Sequence, residues 1–412
     1  MRRLSLLCVA IASLLLSLRP VYAAENIRIA FIDPLSGPFA NLGETEVRAF
    51  NYAIDLVNAR GGVLGGRKLE LVPFDGKANP QDSLLALKQA ADQGIRFVTQ
   101  GNSSAVAHAI VDAISKQNVR EPDRSIVFLN YAAVDPALTN EKCSFWHFRF
   151  DADADMKMSA LTDAIAADKQ VKKVYLLNQD YAFGQAVSKS ARKMLGQKRP
   201  DIEIVGDDLH PLGKVKDFSP YVAKIRSSGA NAVITGNWGN DLVLFVKSGR
   251  ESGLAVHYYT YYAISPGTLS ALGEAAIGHI KNVHVYAENP PTEKSDKYLA
   301  GYKEKYKERY AQSQQGEVIE MLARAIDAAK SAEPDKVARA LEGMTHDYLF
   351  GPVQMRADNH QLIQPIFVSS AVKADGKIVK YDMDNTGIGW KVETRTEGKD
   401  TVMPTTCNMV RP

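Results

Sequence analysis

Long apolar stretches are almost absent from this 412-residue chain. The exception lies at the start, where Arg2 and Arg3 precede an apolar run over residues 4–18 and a small-x-small site ends at Ala23. This order is typical of a secretory signal peptide, and the run is too short to favour a membrane span. Because no later stretch is apolar enough to cross a bilayer, the sequence predicts a soluble, exported protein that is cleaved after Ala23.

Cysteine is also scarce, with three in the whole chain. Cys8 lies in the predicted signal peptide, so the mature chain keeps Cys143 and Cys407. An even pair in an oxidising compartment favours a disulfide, and Cys407 lies in a polar tail that otherwise lacks an anchor. We therefore predict a Cys143–Cys407 disulfide, with two buried thiols as the alternative.

The chain has no excess of one charge. Of 50 basic and 47 acidic residues, the signal peptide removes three basic ones, Arg2, Arg3 and Arg19, and leaves 47 of each sign. This balance gives no indication of a nucleic-acid-binding surface.

Motifs for catalysis, phosphate binding and metal binding are missing as well. GNSSA has no closing glycine for a nucleophile elbow, and the spacing in GGVLGGRK does not fit a phosphate loop. The eight histidines show no metal-ligand spacing. Several acidic residues are scattered over different predicted elements, and we interpret them as solvated helix starts: Glu44, Glu46, Asp180, Asp207, Asp208 and Asp241. We expect no metal, no cofactor and no enzymatic activity; an exported hydrolase is the alternative.

The chain does contain a regular alternation of strand and helix patterns. Runs rich in β-branched and apolar residues, such as 27–32 and 173–178, are followed by a loop and an amphipathic helix. The alternation forms two consecutive series, and about 390 mature residues exceed what one core usually holds. The sequence predicts an α/β fold with two doubly wound parallel-sheet lobes. Later strands are expected near residues 353–355, 366–372 and 377–380, before a polar tail, 384–412, with weak structural signals.

Residues 95–109, IRFVTQGNSSAVAHA, combine a strand, a short turn and the start of a helix. Ser103 and Ser104 lie where the helix begins. Its free N–H groups and the positive end of its dipole converge there, which makes the turn a candidate anion site. The alternative is that both serines only cap the helix.

Further loops follow the predicted strands in both series. In doubly wound sheets, ligands bind beyond the carboxyl ends of the strands. If the two carboxyl edges face each other, six loops line one cleft: residues 33–42, 101–104, 131–134, 178–184, 237–240 and 261–265.

An ordered set of segments carries a family resemblance: IRIAFIDPLSGPFANLG, NYAIDLVNARGGVLGGRKLELVPFD, NPQDSLLALKQAADQGIRFVTQGNSS, YAAVDPALT, DYAFGQ and LFGPVQMR. The set resembles type I periplasmic solute-binding proteins, specifically the leucine/isoleucine/valine-binding branch of ABC importers. The resemblance implies two lobes that close over a small solute by hinge motion. It also implies a periplasmic location, an inner-membrane permease as partner and a monomer.

The resemblance divides the chain into discontinuous lobes. We expect a signal peptide over 1–23, lobe 1 from 24–148 plus 287–351, lobe 2 from 149–286 plus 352–384, and a C-terminal tail over 385–412. The three crossovers are expected near Arg149, residues 284–289 and residues 351–355.

The resemblance also implies a set of ligand-binding residues. Ser104 matches the serine that binds the ligand carboxylate in this family, and Ala132 matches a position that gives backbone contacts. Val134 and Tyr262 stand where amino-acid binders carry a threonine and the glutamate that holds the ammonium. The complete predicted set is Leu42, Asn102, Ser103, Ser104, Tyr131, Ala132, Val134, Phe183, Trp238 and Tyr262.

The replacements at Val134 and Tyr262 change the expected ligand. A buried ammonium needs acceptors, because leaving it unpaired costs several kcal/mol. Aromatic side chains replace polar ones, which favours a flat apolar ligand body. We predict a small carboxylate without an α-ammonium. The alternative ligand is a branched-chain amino acid whose ammonium is held by Asp33, Asp180 or Asp241. The alternative role is that of a sensor, which binds its ligand but reports to a receptor.

Overall fold

The computed structural model describes residues 25–289, 291–308 and 313–412. The predicted signal peptide, residues 1–23, lies outside the described residues. Within the described part, no helix combines the length and apolar character needed to cross a membrane.

Fifteen strands are distributed over three sheets of the described chain. They are β1 Ile27–Asp33, β2 Leu69–Asp75, β3 Phe97–Gln100, β4 Val127–Asn130, β5 His147–Arg149, β6 Lys173–Gln179, β7 Glu203–His210, β8 Ala232–Thr235, β9 His257–Thr260, β10 Ile280–His284, β11 Thr345–Tyr348, β12 Gly351–Met355, β13 Leu362–Ile363, β14 Ile366–Lys373 and β15 Ile388–Thr396.

Eleven α-helices cover the sheets in the described residues. They are α1 Ala40–Ala59, α2 Pro80–Asp92, α3 Ser104–Arg120, α4 Ala154–Ala167, α5 Ala182–Lys198, α6 Ser219–Ser227, α7 Gly239–Glu251, α8 Thr268–Leu272, α9 Glu293–Tyr306, α10 Ser313–Ala329 and α11 Pro334–Leu341.

The first sheet is parallel throughout, with strand order β2-β1-β3-β4-β5. Its inner strands are nearly continuous buried runs, because helices cover both faces of a parallel sheet. One core joins this sheet to helices from both ends of the chain, including Ile110 of α3 and Leu322 of α10. The core around the first sheet is therefore built from segments that are far apart in the sequence.

The second sheet has the order β15-β14-β10-β9-β8-β6-β7. Its strands β6 to β10 are parallel, whereas β14 and β15 pair antiparallel at one edge. The third sheet is small and antiparallel, with β11, β12 and β13. Two large sheets with parallel cores and flanking helices confirm the predicted fold class.

In the C-terminal region one strand was not predicted, and one expected strand is wrong. The tail contains β15, an edge strand whose polar outer half hides the strand pattern, although Ile388 and Trp390 are buried. Residues 377–380 form no strand; the Asp375 carboxylate accepts hydrogen bonds from the N–H groups of Lys377 and Val379, which fixes a turn instead.

The chain passes from the first large sheet to the second beside Arg149 at the end of β5. This buried guanidinium donates from Nε to Gln361 Oε1 at 2.6 Å and from Nη1 to the Asp135 carbonyl at 2.6 Å. The return to the second sheet comes after β13, because Met355 still packs in the core of the first sheet. This passage lies at residues 363–366, later than the predicted 351–355. The predicted lobe boundaries otherwise stay a prediction.

The predicted disulfide joins Cys143 and Cys407, whose Cα atoms lie 5.6 Å apart. Neighbouring hydrogen bonds fasten the same segment: Thr405 Oγ1 donates to the Thr139 carbonyl at 3.0 Å, and Thr406 N donates to Asn140 Oδ1 at 3.1 Å. The end of the chain is thus anchored beside the first sheet.

Candidate functional site

A pocket lies between loops that follow strands of the two large sheets. It holds about 420 Å³ of space between atoms when the solvent-open space at its mouth is included. Nine of the ten predicted ligand-binding residues line it. The lining consists of Leu42, Glu46, Gly101, Asn102, Ser103, Ser104, Ala132, Ala133, Val134, Tyr181, Phe183, Trp238, Tyr262 and Ser265.

The turn between β3 and α3 forms a polar side of this pocket. Ser103 has a φ of 89°, a conformation that residues other than glycine rarely adopt, and it is 3% exposed. Its hydroxyl makes no hydrogen bond within the described residues and does not cap α3. Ser104 Oγ accepts from the Asp135 N–H at 3.2 Å. The turn therefore offers an unpaired buried hydroxyl next to the start of a 17-residue helix.

The loop after β4 lies beside this turn. Asn130 Oδ1 accepts from the N–H groups of Ala132 at 3.2 Å and Ala133 at 2.7 Å, which holds the loop against the strand. Ala132 therefore lines the pocket with an N–H that already has an internal partner. Val134 lines the pocket with an apolar side chain.

Tyr131 is the predicted residue that does not line the pocket. Its side chain is fully buried behind the loop, where its ring lies edge-on to Phe50 with centroids 5.2 Å apart. The structure does not bring Tyr131 to the pocket: its ring packs in the core of the first sheet, whereas the next three residues, Ala132, Ala133 and Val134, line the pocket.

Glu46 is a pocket residue that sequence reasoning placed on a solvated helix start. It lies on α1, is 2% exposed and lines the pocket. Helical spacing could have identified it, because Glu46, Phe50 and Ile54 follow one another at intervals of four on the buried face of α1.

Glu46 belongs to a buried hydrogen-bonded cluster with Asp33, Asn102 and Tyr131. Tyr131 Oη lies 2.7 Å from Asp33 Oδ2 and also contacts Glu46 Oε2, and Asn102 Nδ2 donates to Glu46 Oε2 at 2.6 Å. Burial raises the pKa of Asp33 to about 7 against the effect of its hydrogen bonds, and burial with the Asp33 charge raises the pKa of Glu46 well above its usual value. The pocket thus contains a carboxyl group that resists ionisation.

The opposite side of the pocket is aromatic and comes from loops of the second sheet. Phe183, Trp238 and Tyr262 line it, together with Tyr181, which sequence reasoning missed. Trp238 Nε1 donates to Tyr181 Oη at 2.8 Å, which fixes the indole. Phe39, from the segment before α1, reaches across to Trp238 with ring centroids 4.3 Å apart. This pair brings the two sides into contact over the pocket.

A buried cation lies behind this aromatic side. Lys157 Nζ is 5.0 Å from the centroid of the Tyr262 ring and 2.6 Å from Asp151 Oδ2, and both charged side chains are 0% exposed. Burial lowers the pKa of Lys157 and raises that of Asp151. At Tyr262 the pocket therefore has a phenol ring with an ammonium group near it.

The other acids proposed for an ammonium site do not line the pocket. Asp33 accepts from the N–H groups of Gly101 and Asn102, both at 2.9 Å. Asp241 accepts from Gln179 Nε2 and Gly213 N, both at 2.8 Å. Asp180 is exposed and accepts from Gln185. Glu46 is therefore the acidic residue of the pocket lining that could contact a ligand ammonium. Among the described residues no cluster of three or more His, Cys, Asp or Glu side chains could hold a metal.

Comparison with known proteins identifies the family. The model of the periplasmic binding protein family matches residues 26–377, so the chain belongs to that family. It is 31% identical over 421 residues to Leu/Ile/Val-binding protein homolog 4 of Brucella melitensis biotype 1, with 98% of this chain and 97% of the relative covered.

Solved structures agree with this assignment. The leucine-, isoleucine-, valine-, threonine-, and alanine-binding protein of Brucella ovis, in a closed conformation, superposes with a TM-score of 0.83 at 29% identity, covering 94% of this chain and 100% of that one. A solute-binding protein of an ABC transporter from Rhodopseudomonas palustris BisB5, in complex with 3,4-dihydroxybenzoic acid, has a TM-score of 0.79 at 19% identity, with coverage of 90% and 98%. These matches confirm the family resemblance and the fold of type I periplasmic binding proteins.

Proposed function

We propose that this periplasmic binding protein captures a small aromatic carboxylate without an α-ammonium and delivers it to an inner-membrane ABC permease. Family membership supports the delivery role and the periplasmic location. One observation supports this class of ligand: the pocket has a hydrogen-bonding side at Ser103 and Ser104 and an aromatic side at Phe183, Trp238 and Tyr262.

The carboxylate of the ligand would lie at the start of α3. Free N–H groups and the helix dipole favour an anion there without a full positive charge. The Ser104 hydroxyl, which lines the pocket, adds a donor. The aromatic body would lie between Phe183 and Trp238, whose rings bury flat surfaces well. A Rhodopseudomonas relative of the same fold is described in complex with 3,4-dihydroxybenzoic acid, which has this form.

A branched-chain amino acid is the second candidate, because the Brucella melitensis relative is named Leu/Ile/Val-binding protein homolog 4. Such a ligand needs a negative partner for its ammonium. Tyr262 with Lys157 behind it provides none, and Glu46 resists ionisation. These features favour a carboxylate ligand without an α-ammonium group.

A thermal-shift panel tests the ligand class. We expect benzoate, 4-hydroxybenzoate and phenylacetate to raise the Tm, with about 2.7 kcal/mol of stabilisation at 100 times Kd. Benzamide, which has the same ring without the charge, should have little effect, as should leucine, isoleucine and valine. Strong stabilisation by leucine and none by the simple acids would refute the proposal.

The binding role can be separated from the two other hypotheses. Mass spectrometry of a bound acid after long incubation should recover it unchanged, whereas a hydrolase would convert it. Deletion of the neighbouring permease should abolish uptake of the acid if the protein serves transport. Uptake that persists, with loss of a transcriptional or chemotactic response in a strain lacking this protein, would indicate a sensor.

A further inference from the structure

Glu46 lines the pocket, but the proposed contacts to the ligand carboxylate and to its aromatic ring do not involve it. Its hydrogen bonds all use one oxygen: Oε2 contacts Asn102 Nδ2 and Tyr131 Oη. No group in the described part of the chain is hydrogen-bonded to Oε1, although the residue lines the pocket. One oxygen of a buried carboxyl group is therefore available to a ligand.

Proton counting fixes the state of this carboxyl group. A phenol has one hydrogen to donate, yet Tyr131 Oη lies within hydrogen-bond distance of both Asp33 Oδ2 and Glu46 Oε2. One of the two carboxyl groups must therefore carry a proton. Asp33 accepts two backbone N–H groups as well as the phenol, and this set stabilises its charged form. Apart from the shared phenol, Glu46 accepts one hydrogen bond, from the Asn102 amide, so we assign the proton to Glu46.

The resulting chain of hydrogen bonds has one direction. With the proton on Glu46, its Oε2–H would donate to Tyr131 Oη, which also accepts from Asn102 Nδ2 at 3.1 Å, and Tyr131 would donate to the Asp33 carboxylate. Oε1 of Glu46 is then the carbonyl oxygen of a neutral acid, which accepts hydrogen bonds but does not attract a cation strongly.

A second unpaired group belongs to a residue that lines the same pocket. Ser103 Oγ is buried and has no hydrogen-bond partner among the described residues, and Ser103 follows Asn102, the residue that donates to Glu46. A buried polar atom left without a partner costs about 1–3 kcal/mol. An occupant that pairs with both Glu46 Oε1 and Ser103 Oγ would remove that cost.

We propose that Glu46 is a specificity-determining residue that, as an uncharged acid, accepts a hydrogen bond from a hydroxyl group of the ligand, while Ser103 donates to the same hydroxyl. This inference rests on the proposed function, because it adds a hydroxyl substituent to the aromatic carboxylate. A hydroxyl group fits since it is both donor and acceptor. The N–H groups at the start of α3 and the Ser104 hydroxyl are left for the carboxylate.

Calorimetric titration of benzoate, 3-hydroxybenzoate and 4-hydroxybenzoate tests this role. One of the hydroxylated acids should bind wild-type protein about tenfold more tightly than benzoate, the equivalent of one satisfied hydrogen bond. Glu46→Gln keeps a neutral acceptor of the same shape and should retain this ratio within about threefold. Glu46→Leu and Ser103→Ala should each bring the ratio close to one.

Controls separate a binding role from a folding defect. Glu44→Gln changes an exposed residue on the same helix and should behave like wild type. The Tm of each unliganded variant shows whether it folds, and Ser103→Ala provides a small change if Glu46→Leu does not fold.

The possible outcomes distinguish this inference from the proposed function. Equal affinity of wild type for benzoate and both hydroxybenzoates would overturn the role of Glu46 while leaving the carboxylate proposal intact. A ratio that survives in both Glu46→Leu and Ser103→Ala would do the same. Binding of leucine that is lost in Glu46→Gln would show a charged Glu46 paired with an ammonium and would overturn both. No binding of any acid by wild type would refute the proposed function itself.

Discussion

The two sides of the pocket differ in chemistry and in origin. The side from the first sheet is polar and comes from consecutive residues, Asn102, Ser103 and Ser104, with Glu46 added from α1. The side from the second sheet is aromatic, and its residues come from separate loops, as Phe183 and Trp238 illustrate. One side can orient a charged or polar group, whereas the other can bury a flat surface. Under the proposed function, we expect the aromatic side to supply most of the affinity and the polar side to orient the ligand, and each side can be changed separately.

Loss of the aromatic side should have the largest effect on binding. Trp238→Ala removes a ring that lines the pocket and contacts Phe39, so we expect affinity for benzoate-type acids to fall by about 2–3 kcal/mol, roughly 30- to 150-fold. Titration calorimetry should show a smaller loss for acetate, which has no ring. Trp238→Phe, which keeps an aromatic ring, is the matched control. Equal losses for acetate and benzoate would show that Trp238 acts through lobe closure alone.

Loss of a hydrogen-bond donor on the polar side should reduce ligand affinity less, and by a similar factor for every carboxylate. Ser104→Ala removes a hydroxyl that lines the pocket, and we expect every carboxylate to lose about 1–1.5 kcal/mol, or roughly tenfold in affinity. The same titrations with acetate, benzoate and phenylacetate measure it. Ser104→Thr keeps the hydroxyl and serves as the comparison. A loss confined to ligands with a ring would contradict a carboxylate-binding role.

The buried acids on the polar side should make stability depend on pH. A carboxyl group whose pKa rises on folding holds its proton more tightly in the folded state. Its stabilising contribution is therefore present below the unfolded-state pKa, 3.8 for Asp33, and is lost as the pH rises to about 7. Glu46, with its raised pKa, adds in the same direction.

Urea unfolding of the unliganded protein between pH 5 and 8 measures this effect. The free energy of unfolding should fall with rising pH by at least about 1 kcal/mol, and Glu46→Gln should show a shallower fall. Glu44→Gln, on the exposed face of α1, should follow wild type. Identical slopes for wild type and Glu46→Gln would exclude a contribution from the Glu46 carboxyl group.

Release of the C-terminal segment should affect neither side of the pocket. Cys407→Ser removes the disulfide to Cys143, which lies outside the pocket, so ligand affinity should stay within about twofold of wild type. Stability should fall by about 2–4 kcal/mol, measured as a lower Tm. Cys143→Ser should have the same effect. A change in affinity comparable to that of Ser104→Ala would show that the segment contributes to the site.

The repeating strand-loop-helix order could be predicted from the sequence, and with it most of the residues that line the pocket. In a parallel sheet every strand delivers its following loop to the same edge, so Ser104, Phe183 and Trp238 could be assigned to one cleft before their contacts were known. The disulfide followed from an even cysteine count in an exported chain. These features depend on local pattern and on chain direction.

Only the tertiary structure decided which side chains of those segments enter the pocket. Tyr131 and Ala132 are neighbours in one loop, yet the first turns into the core and the second lines the site. In the sequence, Glu46 could not be distinguished from the acidic residues at helix starts, whereas in the structure it is buried beside Asn102. Lys157 lies near Tyr262 because α4 packs beside the loop after β9. Spacing along the chain fixes where a residue sits on its own element, whereas its partners, its burial and its charge state depend on which distant segment packs against that element.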